Sequence, residues 1–221
     1  MKEITGTSRT WEIFSKLDPK EVCSRTNALY DKKSDMYSIS SFNQIFHVDR
    51  HQQKVFSNRQ VGKYLLGFID YFFDLSLLWY LIGAQDIPLS GRMVKPAEIE
   101  GGQIFVKGTH ILPLEKIASQ YNDKPNDFWD RCSQFGGEKL TLGDISAEFH
   151  PFPRVPTTLI LWFGDEEFPP NAQFLLDSTC TQHLSTDVLW AIAMINCLSL
   201  LQARRNVINP PPYEGADKFN L

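Results

Sequence analysis

The sequence predicts an α+β domain: a mostly antiparallel sheet, one long central helix, and a C-terminal helix packed on the sheet. Three observations carry this. The run from Pro156 to Phe168, PTTLILWFGDEEF, opens with a wholly apolar stretch, the pattern of a strand buried on both faces. The segment from Val61 to Ile82 is apolar nearly all round and has the length of a buried core helix. Val188 to Leu201, VLWAIAMINCLSLL, is a second apolar helix, too short to span a bilayer and suited to packing on a sheet.

The elements follow in order. Residues 1–10, MKEITGTSRT, are polar and expected to be loose. A helix is expected from Trp11 to Leu17. Asp18-Pro19-Lys20-Glu21 then supplies an N-cap, a first-turn proline and a capping-box glutamate, a strong helix start. From Ala28 to Phe56 the stretches MYSISSF, IFHVD and QKVF alternate with turn-forming segments, which predicts a small antiparallel meander. Met36, Ile39 and Phe42 do not alternate perfectly, so its register stays open. After the central helix, Gln85 to Lys107 is loop-rich. Two helices are expected at Leu112 to Tyr121 and Asn126 to Phe135, the second stopped by Gly136-Gly137. A strand at Ile145 to Phe149 leads to Pro151, Pro153 and Pro156, which should force an extended bend before the central strand at Thr157 to Phe163. A short strand from Gln173 to Leu176 ends at Asp177. The last helix should run from Ser185 to about Arg205, with acid in its first turn and base in its last. The whole reads as one domain over 11–205, helices and meander at 11–56 and main core at 57–205, with a proline-rich tail at 206–221.

Bulk properties narrow the function. The chain has 221 residues, 43% hydrophobic and 22% charged, ordinary globular usage. Net charge is −4 and no lysine or arginine block is denser than a pair, so nucleic acid is not an expected partner. Cys23, Cys132, Cys180 and Cys197 are scattered without a C-x-x-C pair, and no signal-peptide run follows Met1, which suits a cytoplasmic, reduced protein. Tyr64 to Gly83 has spanning length, but its apolar residues favour insertion by about 3 to 7 kcal/mol while Asp70 and Asp74 oppose it by about 5 to 7. Membrane insertion is therefore not expected.

In the second half the chain passes through PLSG (Pro88 to Gly91), EGG (Glu100 to Gly102), FGG (Phe135 to Gly137), LGD (Leu142 to Asp144), PRVP (Pro153 to Pro156), LWFGDEEFPP (Leu161 to Pro170) and FLLD (Phe174 to Asp177). This string resembles an uncharacterised bacterial and archaeal family, domain of unknown function 3786, with a similar W-x-G-D-E-E-F-P segment, a following aspartate and a C-terminal helix. The resemblance implies no established activity. Some similar proteins carry an N-terminal four-cysteine iron–sulfur segment, which hints at anaerobic redox or corrinoid-type metabolism. This chain departs from that pattern, because Cys23 is alone in the first hundred residues, and no iron–sulfur cluster is expected in it.

The candidate site residues fall in two sets. Asp144, Asp165, Glu167 and Asp177 are oxygen donors of the kind that hold a hard divalent cation, and alternation along an extended segment lets Asp165 and Glu167 share a face. A solvated turn after a strand is the ordinary alternative for them. Arg92 and Arg154 lie in loops where a guanidinium can clamp an anion, with bracing of backbone carbonyls the preferred reading for Arg154. His183, in the loop before the last helix, and Asp144 complete the candidate ligand-binding set. No nucleophile–base pair, G-x-S-x-G elbow or phosphate-binding glycine fingerprint is present. The expected function is a non-catalytic binding or accessory module for a small ligand, cofactor or protein partner. The alternative is a metal-dependent, hydrolase-like enzyme using the clustered carboxylates.

Overall fold

The structure, a computed structural model, describes residues 6–68, 70–107 and 110–201; the expected proline-rich tail lies outside them. Mixed helices and two antiparallel sheets give the α+β class. The smaller sheet is a meander of β1 (Leu29–Asp31), β2 (Met36–Ser41), β3 (Gln44–Asp49) and β4 (Lys54–Phe56). Its register is set by what it buries. Tyr37 pairs with Val48 and Ile39 with Phe46, and these four side chains form the inner face. Met36 falls on the outer face, which is why the apparent alternation of Met36, Ile39 and Phe42 failed.

Two helices precede the meander. The first, α1 (Gly6–Ser15), begins five residues before the expected Trp11. The second, α2 (Pro19–Thr26), starts as its sequence demands: Asp18 accepts the Lys20 amide at 2.8 Å and Pro19 occupies the first turn.

The single long helix expected over Val61 to Ile82 is instead two, α3 (Gln60–Phe68) and α4 (Asp70–Gly83), bent by 102°. The packing explains the bend. α3 lies on the meander strands β3 and β4, whereas α4 packs between α1, α2 and the long C-terminal helix α8 (Thr186–Leu201), so each half buries its apolar surface against a different layer. Among the described residues no single helix is long and apolar enough to cross a membrane.

The larger sheet has the order β5-β9-β8-β7-β6, with β5 (Met93–Val94), β6 (Glu138–Leu140), β7 (Ile145–Phe152), β8 (Val155–Trp162) and β9 (Asn171–Asp177), every pair antiparallel. The central position of β8 accounts for its apolar sequence: residues 155 to 161 are all buried. The prolines do not bend an extended lead-in. Pro153 and Arg154 form the tight turn of the β7–β8 hairpin, closed by the Phe152–Val155 pair, and Pro156 precedes the first β8–β9 pair, where no ladder bond is lost.

The remaining helices are α5 (Leu114–Tyr121), α6 (Pro125–Gln134), the single turn α7 (Cys180–His183) and α8 (Thr186–Leu201). α8 is buried nearly all round. It touches the sheet through Asn196 Nδ2, which donates to Thr157 Oγ1 at 2.7 Å, and packs otherwise on α4 and α5. Two carbonyls near the end of its described part accept from side chains: Arg131 Nε donates to Ser199 O at 2.7 Å, and Tyr121 to Leu200 O at 2.5 Å; the expected extension to Arg205 lies outside the described residues.

The two sheets meet at one corner. Phe42 and Asn43, both at positive φ, make the β2–β3 turn, and the buried Phe42 ring stands edge-on to Phe135 at 6.5 Å. Its amide donates to His150 O at 2.8 Å. A Cβ at Gly136 would come 2.3 Å from Asn43 Cβ, so the expected glycine stop also lets the meander dock.

Candidate functional site

The candidate residues separate to the two ends of the larger sheet. At one end, β9 finishes in Asp177, which pairs in register with Met93 of the edge strand β5. The Asp177 side chain is 6% exposed and accepts from two segments. From its own turn it takes the Thr179 amide at 2.9 Å and hydroxyl at 2.6 Å. From the PLSG loop it takes the Ser90 amide at 3.2 Å, the Ser90 hydroxyl at 3.0 Å and the Gly91 amide at 2.8 Å. Burial pushes its pKa up, and the bonds from Thr179 and Ser90 outweigh that, leaving it below the usual carboxylate value. Gly91 has φ +69, the left-handed conformation that turns its amide toward the carboxylate.

Arg154, in the β7–β8 turn, lies at the same end. Its guanidinium donates to Arg25 O at 2.5 Å, Ile87 O at 3.0 Å and Ser24 O at 3.4 Å, and pairs with Asp86 at 2.5 Å. It thus covers the last carbonyls of α2, while Arg25 donates to Ile82 O and Ala84 O at the end of α4. Arg154 is a brace between three segments.

His183 is buried beneath these groups. Its Nδ1 accepts the Gln85 amide at 3.2 Å, which places the proton of the neutral ring on Nε2. Burial, then the Arg154 charge, holds its pKa below the ordinary histidine value, with Asp177 opposing. Cys180, one turn before it in α7, is fully buried and its thiol is pushed up to about 11 by burial, far from a reactive thiolate.

Arg92 differs from all of these. Its backbone is fixed, because the Arg92 amide donates to Ser90 Oγ at 3.0 Å and its carbonyl accepts from Ser178 at 2.9 Å. Its side chain is exposed and makes no ion pair among the described residues. Leu89 and Met93, 41% and 40% exposed, flank it.

At the other end of the sheet, Asp165 accepts the Glu167 and Phe168 amides, each at 2.8 Å, and its own amide donates to Phe168 O at 2.9 Å. These bonds, Phe168's before Glu167's, lower its pKa. Asp144 accepts the Phe163 amide at 2.7 Å. Asp165 therefore meets Glu167 through the backbone amide of that residue, and the acidic run is a closed turn. Register places Trp162 opposite Asn171 and Thr157 opposite Leu176, so Asp177 lies the length of β9, about 20 Å, from this turn. The four carboxylates proposed as one cation set are thus divided, and no group of three or more His, Cys, Asp or Glu side chains able to share a metal ion exists among the described residues.

The sequence reading missed Ser90, Gln85 and Thr179. The signal for Thr179 was local, since an aspartate two residues before a threonine at a strand end is a common self-bonded turn. Ser90 and Gln85 carried no signal, because their partners stand more than eighty residues away.

With this geometry in hand, a family model described as Domain of unknown function (DUF3786) matches residues 18–198. The chain belongs to the DUF3786 family. The match runs from the N-cap of α2 into the last turn of α8, and so covers both sheets and both ends of the larger one. No curated protein and no solved structure matches the chain.

Proposed function

We propose that this DUF3786 protein is a non-catalytic binding or accessory module of the cytoplasm that meets its ligand or protein partner through the loop 88–93, with Arg92 as the anchor. One observation carries the reading: Asp177 ties down the backbone around Arg92 with bonds to Ser90 and Gly91, yet Arg92 is left exposed, as are Leu89 and Met93 of the same loop. A loop fixed in advance loses little entropy on binding. Arginine and methionine are enriched in interfaces, and the planar guanidinium matches a carboxylate or phosphate group in two-pronged fashion. The chemistry to look for is therefore an acidic group beside apolar surface. Arg154 and His183 hold the segment that leads into the loop, through Asp86, Ile87 and Gln85. An anaerobic redox or corrinoid-type setting rests on the family resemblance alone and names only where to look for the partner.

The test is mass spectrometry of everything that co-purifies with the wild-type chain and with Arg92→Ala, both checked for equal folding by circular dichroism and melting temperature. A ligand or partner retained by the wild type and lost by Arg92→Ala is the expected result. An identical set on both proteins would overturn the reading.

A further inference from the structure

Two surface features have no role in the account so far. The first is a groove between α1 and α4 of about 320 Å³, lined by Arg9, Thr10, Ile13, Leu75 and Trp79. Its walls are apolar side chains, only partly covered, and Arg9 stands exposed at its lip. Arg9 makes no ion pair among the described residues; Glu12, one turn along, bonds Lys16 at 2.7 Å, and Arg9 is the smallest influence on that carboxylate. The second feature is Phe168, 67% exposed beside the exposed carboxylates of Glu166 and Glu167. The turn that carries it is held from inside, since Gly164 donates to Asn122 Oδ1 at 2.8 Å and a Cβ at Gly164 would strike Pro170. An aromatic ring exposed on a braced turn has no packing reason among the described residues.

We propose that these features are two halves of one contact: Phe168 of one copy seats in the α1–α4 groove of a second copy, with Glu166 and Glu167 facing Arg9. Three properties match. The groove has room for a benzyl group, its Trp79 wall offers an aromatic partner, and Arg9 at its lip meets the two anions that stand beside the ring. Tip and groove are different surfaces, so the contact is head-to-tail and propagates into a ring or an open chain. The area is small, so association is weak and salt-sensitive. This contact is independent of the Arg92 loop.

Sedimentation equilibrium of the full chain tests it, over roughly 10 to 1,000 μM, the range in which a small interface associates. The average mass should rise with concentration and rise less at high salt. Phe168→Ala and Arg9→Glu, both at exposed side chains, should each weaken association at least about tenfold. Mixing the two variants should give a dimer that grows no further, because one variant keeps only the groove and the other only the tip. Arg9→Glu combined with Glu166→Lys and Glu167→Lys in one chain should restore assembly, and Arg92→Ala should leave it unchanged. A wild type that stays monomeric throughout, oligomers indifferent to both variants, or a groove shown to hold another molecule in a monomeric chain would each overturn the proposal. None of these results would touch the Arg92 reading.

Discussion

Asp177 and Asp165 both close a strand of the same sheet, yet their surroundings make them different physically. Asp177 is buried and spends its carboxylate on a loop 86 and 87 residues earlier in the chain, so it is a tertiary tie. Asp165 is exposed and bonds only its own next three residues, so it is a local turn. The lesson is that an aspartate after an apolar strand marks the edge of the sheet, and only its long-range partners decide whether it shapes a site.

The contrast can be broken by mutation, most severely at the buried end. Asp177→Ala leaves the Ser90, Gly91 and Thr179 donors without their acceptor and should destabilise the fold by about 3 kcal/mol, read by urea denaturation. Asp177→Asn, which keeps one acceptor oxygen, should lose less. Because the folded pKa is depressed, the stability Asp177 contributes is present above the unfolded value near 3.9 and is lost as pH falls through the folded value.

His183 sharpens the picture at a higher pH. Its folded pKa is also lowered, so the unfolded chain takes up a proton first as pH drops below about 6.5. Stability should fall from that point until the folded pKa is reached, by at most about tenfold in the folding equilibrium per pH unit. A protonated Nδ1 would also lose its bond from the Gln85 amide. His183→Asn keeps an acceptor for that amide and should flatten the slope that opens below about pH 6.5, at higher pH than the loss expected from Asp177.

Smaller effects are expected at exposed positions. Asp165→Ala should lower the melting temperature less than Asp177→Ala and leave the 88–92 loop unaltered. Arg92→Ala should change stability by no more than about 0.5 kcal/mol in chemical denaturation, since its exposed guanidinium makes no ion pair among the described residues. A large loss there would make Arg92 structural and remove the anchor from the proposed function.

The parts of the fold legible in the sequence are those with local causes. The start of α2 was readable because Asp18 and Pro19 act within one turn, and β8 because burial on both faces writes a continuous apolar run; the expected capping-box Glu21 instead lies 3.6 Å from Arg25. The break between α3 and α4 was hidden: no proline interrupts the stretch and apolar residues run through both halves, although α3 keeps Gln60, Lys63 and Gly67 exposed while α4 is apolar nearly all round. For the candidate site, sequence located Asp144, Asp165, Asp177, Arg92 and Arg154 on loops and strand ends, and the bracing preferred for Arg154 is what its bonds show; His183, expected in a loop, instead ends the buried helical turn α7. Their grouping was not readable. Antiparallel register alone separates Asp177 from the acidic turn, and the tie to Ser90 spans half the sheet domain in sequence.

The central claim is that Asp177 fixes the loop that presents Arg92, and amide hydrogen exchange at Ser90 and Gly91 tests it most directly. In the wild type both amides should be protected; in Asp177→Asn, which keeps only one of the two acceptor oxygens, the exchange of at least one of them should accelerate toward that of an open loop, while Asp165→Ala leaves both as they were. Equal protection in the wild type and Asp177→Asn would contradict the account.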